Sequence, residues 1–361
     1  MSKVSWFEWL KRSLSSLLLS ALAFVAVVAA ACGSNGDVST PTPSPSATPA
    51  ATPQTEGPLD ETTASETPPA QGTWRELASM PTARAEVAVA ELDGLLYVVG
   101  GFDQVGAPTA TVEVYDPATD TWMAAAPLPR PRHHAAAAGL GGRLYVIGGF
   151  EQSFSDPQTT LFVYDPASDS WNEKAPMPTA RGALAAAQVD GRIYAIGGVV
   201  AFGGANSEAV EVYDPTSDAW SAASPLPTPR DHLAVGVVDG NIYVIGGRAS
   251  LDFNRNLDQN EEYDPMTDIW IERTPLPTAR SGIASAVVDG RLYVVGGEGS
   301  QGTFDENEAY DPATDSWEAL SALPTARHGM GAATLRGTIY VPAGGPTAGL
   351  SVTGANEAFT P

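Results

Sequence analysis

The sequence predicts an all-β fold of six four-stranded antiparallel blades in a closed array over residues 73–361, the last blade completed by the N-terminal strand. Three observations carry this. The stretch from Pro275 to Gly297 recurs six times with a period of 47 to 50 residues, the range of propellers and solenoids. Each copy holds one arginine (Arg84, Arg132, Arg181, Arg230, Arg280, Arg327), a tyrosine thirteen residues later (Tyr97, Tyr145, Tyr194, Tyr243, Tyr293, Tyr340) and then a glycine pair. The last copy ends before its tryptophan strand, whereas a spare Trp74 stands ten residues ahead of Arg84.

Ahead of the array, Lys3, Lys11 and Arg12 precede an apolar run from Leu14 to Ala31, which ends in Ala29-Ala30-Ala31-Cys32-Gly33. This resembles a bacterial lipoprotein signal peptide over residues 1–31, and the resemblance implies that Cys32 becomes the lipidated first residue. An uncleaved signal anchor is the other reading of the run. Both readings export the repeats and tether them to a membrane, with the domain outside the cytoplasm. Residues 32–72 turn to Pro, Thr, Ser, Ala and Glu without apolar periodicity, a composition expected to stay disordered. Pro-rich chain extends roughly 3.1 Å per residue, so such a stalk would reach on the order of 100 Å.

Within a copy, two apolar runs joined by Asp-Gly predict a hairpin, because both turn residues need positive φ. Asp289-Gly290 is one such turn; Gly141-Gly142 and Arg336-Gly337 are its variants. A variable loop follows the glycine pair, then a third strand ending in Tyr310-Asp311-Pro312, a turn closed by Asp315, and a fourth strand carrying Trp317. We call the strands A to D, A being Ala/Val/Gly-rich and placed nearest the axis. Trp to the next Arg is ten residues in every copy, and nearly all length variation falls in the B–C loop. Fixed spacing marks packed framework and variable spacing an exposed loop. Tyr and Trp are expected between adjacent blades, where large rings bury most area, and the glycines where backbones converge. In the last copy the pair is taken as Gly344-Gly345, one residue late, with a bulge beside Pro342. Pairing of the Trp74 strand with the final strand would leave no open sheet edge at the ends.

Arginine, Tyr-x-x-Gly-Gly, Tyr-Asp-Pro and tryptophan at this period resemble the kelch repeat across residues 74–361. The resemblance implies a six-bladed kelch-type β-propeller, with the usual ligand face at the start of A, the end of B and the B–C loop. It implies no single activity, since kelch propellers include binding scaffolds, carbohydrate enzymes and oxidases.

A net charge of −23 disfavours nucleic acid; much of it sits in recurrent turn aspartates. All four histidines (His133, His134, His232, His328) lie one or two residues after a repeat arginine, and Glu86 and Asp231 share that register. The candidates are a hydrated polar channel mouth or a metal site. His133 and His134 are expected on opposite faces of a strand, and the histidine blades are not adjacent, so no metal and no cofactor is assigned. The arginines are read as structural, with an anion-binding ring as the other possibility. Six of ten phenylalanines (Phe102, Phe150, Phe154, Phe202, Phe253, Phe304) fall in the loops, either as an exposed apolar patch for a partner or tucked back onto their blades. With Cys32 the only cysteine, the Tyr–Cys crosslinked copper site of galactose-oxidase-like kelch enzymes is excluded. Lys174 alone follows the signal segment, which makes Schiff-base chemistry improbable.

The reading is therefore a membrane-tethered binding module for protein or cell-surface glycan, its propeller monomeric, with no catalytic residue assigned. The alternative is a sugar mutarotase resembling the periplasmic sialate epimerases, with Glu86, Glu298, Arg248 and the histidines supplying acid–base groups and carboxylate recognition.

Overall fold

The computed structural model describes residues 72–200 and 205–361. The expectations for segment 1–31, for Cys32 and the stalk up to residue 71, and for Phe202 lie outside them.

The chain folds into six four-stranded antiparallel sheets, each paired in chain order except the last. β1 (Thr73–Glu76) opens the domain; β2 (Ala88–Leu92), β3 (Leu95–Val99), β4 (Val112–Asp116) and β5 (Thr121–Ala124) form the first blade. Burial along these four strands explains their sequences. β2 alternates buried and half-buried positions, so it is built from small residues facing the axis. β3 and β4 are buried on both sides by neighbouring blades; β3 reads as a continuous apolar run, whereas β4 buries Glu113 among its apolar residues. β5 is exposed except at its tryptophan.

Tyr and Trp lie between blades as expected. Strand-B Tyr97 meets strand-C Tyr164 of the next blade at 5.8 Å, and the same contact recurs at Tyr145–Tyr213 and Tyr243–Tyr310. The tryptophans also clasp backbone: the Trp122 indole N–H donates to the Ala78 carbonyl at 2.8 Å, and Trp171, Trp220, Trp270, Trp317 and Trp74 each reach a carbonyl of the preceding blade. The second aspartate of the Asp-Pro-x-x-Asp turn completes the clasp. Asp120 accepts from the Tyr115 hydroxyl at 2.6 Å and from the Ala78 N–H at 2.8 Å, which holds its carboxyl below the usual range. Much of the negative charge is thus turn and clasp chemistry.

The glycine pairs mark the closest approach of neighbouring blades. A Cβ on Gly148 would stand 2.5 Å from the Arg181 carbonyl oxygen of the next blade, the same carbonyl that accepts from the Gly149 N–H. In the last blade the structure corrects the expected register. Arg327 Nε donates to the carbonyl sixteen residues on, at Ala343, as Arg280 does to Gly296, so Ala343-Gly344 is the equivalent pair. No bulge forms: Ile339 to Pro342 pair in unbroken register with Phe359 to Asn356. Ala343 takes φ 67° in place of glycine and packs against Met80, Val87 and Val98.

Closure is as the tryptophan spacing predicts. β1 pairs with Asn356–Thr360 in a register that sets Trp74 opposite Phe359, their rings 5.0 Å apart.

The six repeat arginines are all buried, at 0–1 % exposure, and they are framework, not an anion-binding ring. Five pair with a strand-C glutamate: Arg84 with Glu113 at 2.8 Å, Arg181 with Glu211 at 2.7 Å, and Arg230, Arg280 and Arg327 with Glu261, Glu308 and Glu357. Their other N–H groups tie down carbonyls at the end of strand B. Blade 2 departs from this. Phe162 replaces the glutamate, and Arg132 stacks over its ring at 5.3 Å while donating to Thr160 and Glu151.

Candidate functional site

The residue two places after each repeat arginine takes left-handed φ, between 53° and 63°, in all six blades. These residues are Glu86, His134, Ala183, His232, Gly282 and Gly329. The N–H of each donates to the carbonyl of its counterpart in the preceding blade, at 2.6 to 3.1 Å, and the sixth bond closes the cycle. A girdle of six backbone hydrogen bonds therefore encircles the axis. On one side of it strand A of every blade lines a channel of about 480 Å3, with walls of small residues such as Ala90, Ala138 and Ala187. On the other lies the loop face.

The residue just after each arginine bridges the residue just after the glycine pair: Ala85 to Phe102, His133 to Phe150, Gly182 to Val199, Asp231 to Arg248, Ser281 to Glu298 and His328 to Gly345. From these positions and the girdle, Glu86, Phe102, His134, Arg248, Glu298 and His328 bring their side chains to the mouth. The left-handed turn aims His133 and His134 the same way, not to opposite faces, and their Nδ1 atoms stand 2.6 Å apart. Blade adjacency proves irrelevant for the same reason: near the axis all blades converge, and the His134 and His232 rings approach to 4.8 Å.

The proton assignments follow from the partners. His134 Nε2 lies 3.0 Å from the Glu86 carboxylate and must donate to it, so His134 Nδ1 accepts from His133. His133 Nε2 is then a buried acceptor without a partner. His232 donates from Nδ1 to Asp231 at 2.6 Å and accepts at Nε2 from Arg248 at 2.9 Å. Arg248 also donates to Glu298 at 2.8 Å and lies under the Phe253 ring at 4.4 Å. Asp231 takes further bonds from Asn206 and from the Leu251 N–H, and the hydrogen bond from His232 leads in holding its carboxyl below the ordinary value against the opposing effect of burial.

Among the described residues, the loop phenylalanines do not form an exposed patch. Phe102 stacks on His133 at 4.1 Å and is buried with Phe150; Phe154 sets its edge against His134 at 5.0 Å. A polarisable ring over a neutral imidazole gives these side chains a better partner than water. Phe304 stays beside Gly299 in its own loop, outside the cluster. Together Phe102, Phe154, Phe253 and Leu350 roof a cavity of about 120 Å3 whose floor is Glu86, His134, Arg248, Glu298 and His328.

Sequence reasoning missed Asn206, Asn256 and Ser281, which lock the loops: Asn256 donates to the Glu298 carbonyl at 2.8 Å and accepts from Ser281 at 2.8 Å. Asn206 and Asn256 sit where loop length varies, so no spacing points to them; Ser281 stands in fixed register just after Arg280, where its partner in the loop is not visible from spacing. It also missed the strand-C glutamates, for which a signal exists: Glu stands two residues before Tyr or Phe in five of six copies.

Burial drives the His133 imidazole pKa down to about 3, and that of His134 well below its ordinary value. Between those values and about 6.5 the unfolded chain binds the extra protons, so stability falls as pH drops through 6.5 by about 1.4 kcal/mol per unit for each ring. Between pH 6.5 and 5, His133→Phe is expected to remove one proton's worth of that slope in urea titrations. An unaltered slope would refute the buried neutral ring.

The mouth thus holds three carboxylates, one guanidinium and four imidazoles in a small, largely satisfied network. Comparison with known proteins places this architecture. No curated protein sequence matches the chain. A solved structure titled "Structure of YjhT" shares the fold with a TM-score of 0.67 at 19 % identity, over 77 % of this chain and 95 % of that one. Residues 184–353 match the KLHDC2/KLHL20/DRC7 Kelch-repeats domain profile, and residues 83–129 and 131–178 match the Kelch motif. With these matches running through successive blades and the repeat arginine, glycine pair and tryptophan in their expected places, the chain belongs to the kelch-repeat family.

Proposed function

We propose that the protein is an exported, membrane-tethered kelch propeller that binds a protein partner across its loop face. The carrying observation is the contrast between a closed mouth and an apolar rim. The central cavity of about 120 Å3 is far below the roughly 300–1,000 Å3 of small-molecule sites. Beside it, the blade-1 and blade-6 loops border a groove of about 210 Å3 lined by Phe102, Asp103, Gln104 and Val352. Val105 (87 % exposed) and Leu350 (75 % exposed) stand on its two sides. Large apolar side chains presented to water on a functional face mark a contact surface. The lipid anchor at Cys32 and the stalk supply the tether in this reading.

Photo-crosslinking in cells tests it. With benzoylphenylalanine at position 105 or 350 of the full chain, a discrete protein adduct is expected, absent when the probe sits at 190 on the opposite face. Equal adducts at all three positions, or adducts only to glycan, would refute a loop-face protein partner.

The second reading, a sugar mutarotase, rests on the Glu86–His134 acid–base pair facing the cavity. It requires the cavity to enlarge and Arg248 to leave Glu298 before a sugar carboxylate could be held. Anomerisation followed by NMR at the buffer rate removes it.

A further inference from the structure

We propose that His328, Glu86 and Glu298 form a binding site for a divalent transition-metal ion of the zinc type, with its open position facing the central cavity. His328 Nδ1 lies 3.0 Å from the Gly345 carbonyl oxygen. A carbonyl only accepts, so Nδ1 carries the proton and Nε2 of the neutral ring presents a lone pair. That lone pair faces two carboxylate oxygens, Glu86 Oε1 and Glu298 Oε2, each at 3.4 Å. Three acceptors thus converge, and His328 Nε2 and Glu298 are nearly fully buried. With the ring neutral, such a set repels itself unless a proton or a metal ion lies among its members.

The spacing fits one. The three ligand atoms lie within 4.8 Å of one another, and tetrahedral bonds of about 2.1 Å would set neighbouring ligand atoms about 3.4 Å apart. The outer contacts are those of a metal site: a histidine fixed by Nδ1–H to a backbone carbonyl, and carboxylates held by their second oxygens or by backbone. Glu298 Oε1 takes Arg248 Nη1 at 2.8 Å, its Oε2 takes the Gly349 N–H at 3.0 Å, and Glu86 Oε2 takes His134 at 3.0 Å. The charge also balances, because Glu86, Glu298 and Asp231 against Arg248 leave two negative charges in the cluster. The neighbouring group of Glu86, His134 and His232 also has its ligand atoms within 4.8 Å, but a proton from His134 and an N–H from Arg248 already occupy it. Through Gly349 the ion would join the blade-6 loop to blades 1 and 5. The site is independent of which partner the loop face binds.

The test is titration of the full chain, stripped with chelator, with Zn2+ by calorimetry, with Co2+ absorption as the geometric readout and Ca2+ as the hard-cation control. One Zn2+ per chain is expected, with an intense four-coordinate Co2+ visible band and no Ca2+ heat. Glu298→Gln and His328→Asn should each weaken Zn2+ binding by about 100-fold or more, whereas Glu173→Gln on the outer rim should not. Glu86→Gln, at a half-buried position, guards against misfolding as the cause and should show the same loss with an unchanged circular dichroism spectrum. Zn2+ binding that survives all three substitutions, a six-coordinate Co2+ spectrum, or no binding at all would overturn the site.

Discussion

A chain lacking residues 73–79 is expected to lose most of its cooperative stability, because this segment closes the ring twice. β1 supplies the outermost strand of the sixth sheet in four register pairs, with Trp74 against Phe359. Just beyond it, Ala78 is the acceptor for the Trp122 indole and the donor to Asp120, so blade 1 grips the same segment. Asn356 bonds the Ala78 carbonyl as well, and Leu77 is buried between the two blades. Removal opens the ring between blades 6 and 1, bares the edge of Asn356–Thr360, takes the Ala78 N–H from Asp120 and leaves the Trp122 indole N–H without its acceptor. Losing the apolar contacts of Trp74 and Leu77 and these bonds sums to on the order of 5–10 kcal/mol, comparable with the whole stability of a typical domain. The milder Trp74→Ala should cost about 3 kcal/mol and about 6–12 °C in Tm. Thermal unfolding by circular dichroism decides it, and a melting midpoint of the deletion variant within about 2 °C of the parent would refute closure by this strand.

Why the fold could be read in advance and the site only in part follows from where each is encoded. Blade geometry repeats, so every framework residue is stated six times; the Tyr–Trp spacing and the spare Trp74 fixed strand order and closure without reference to any contact. Deviations from the repeat were harder. Ala343 in a glycine's place shifted the apparent pair by one residue, since a left-handed alanine is rare enough to be read as an insertion. At the mouth, the sequence placed Glu86, His134 and His232 two residues after their arginines and His328 one residue after its own, but could not show that the first of these registers is a ring. Treating the stretch after arginine as a strand separated His133 from His134, whereas the six left-handed residues turn both inward. Arg248 and Glu298 follow glycine pairs and were visible as candidates, yet their mutual pairing depends on two loops of different blades. The same pairing occupies the guanidinium that carboxylate recognition would need.

Glu308→Ala should destabilise the propeller by about 3–5 kcal/mol, although neither Glu308 nor its partner touches the loop face or the channel. Arg280 is fully buried and uses each end of its guanidinium: Nε donates to Gly296 at 2.8 Å, Nη2 to Val294 at 2.9 Å, and Nη1 to Thr278 at 2.9 Å and to Glu308. Burial pushes the guanidinium pKa down and Glu308 opposes that shift. Truncating the glutamate leaves a charge in the interior that the carbonyls alone cannot neutralise, and the carbonyls prevent the arginine from swinging out to water. Glu308→Gln keeps the shape and one hydrogen bond but not the charge, so it should fall between parent and alanine variant. Blade 2 provides the internal control. Arg132 rests on Phe162, and its carboxylate Glu151 is a quarter exposed, so Glu151→Ala should cost under about 1 kcal/mol. Chemical denaturation of the two variants measures the difference directly. If Glu308→Ala proved as mild as Glu151→Ala, the repeat arginine would be held by its carbonyl bonds alone, and the strand-C glutamate would be dispensable to the blade.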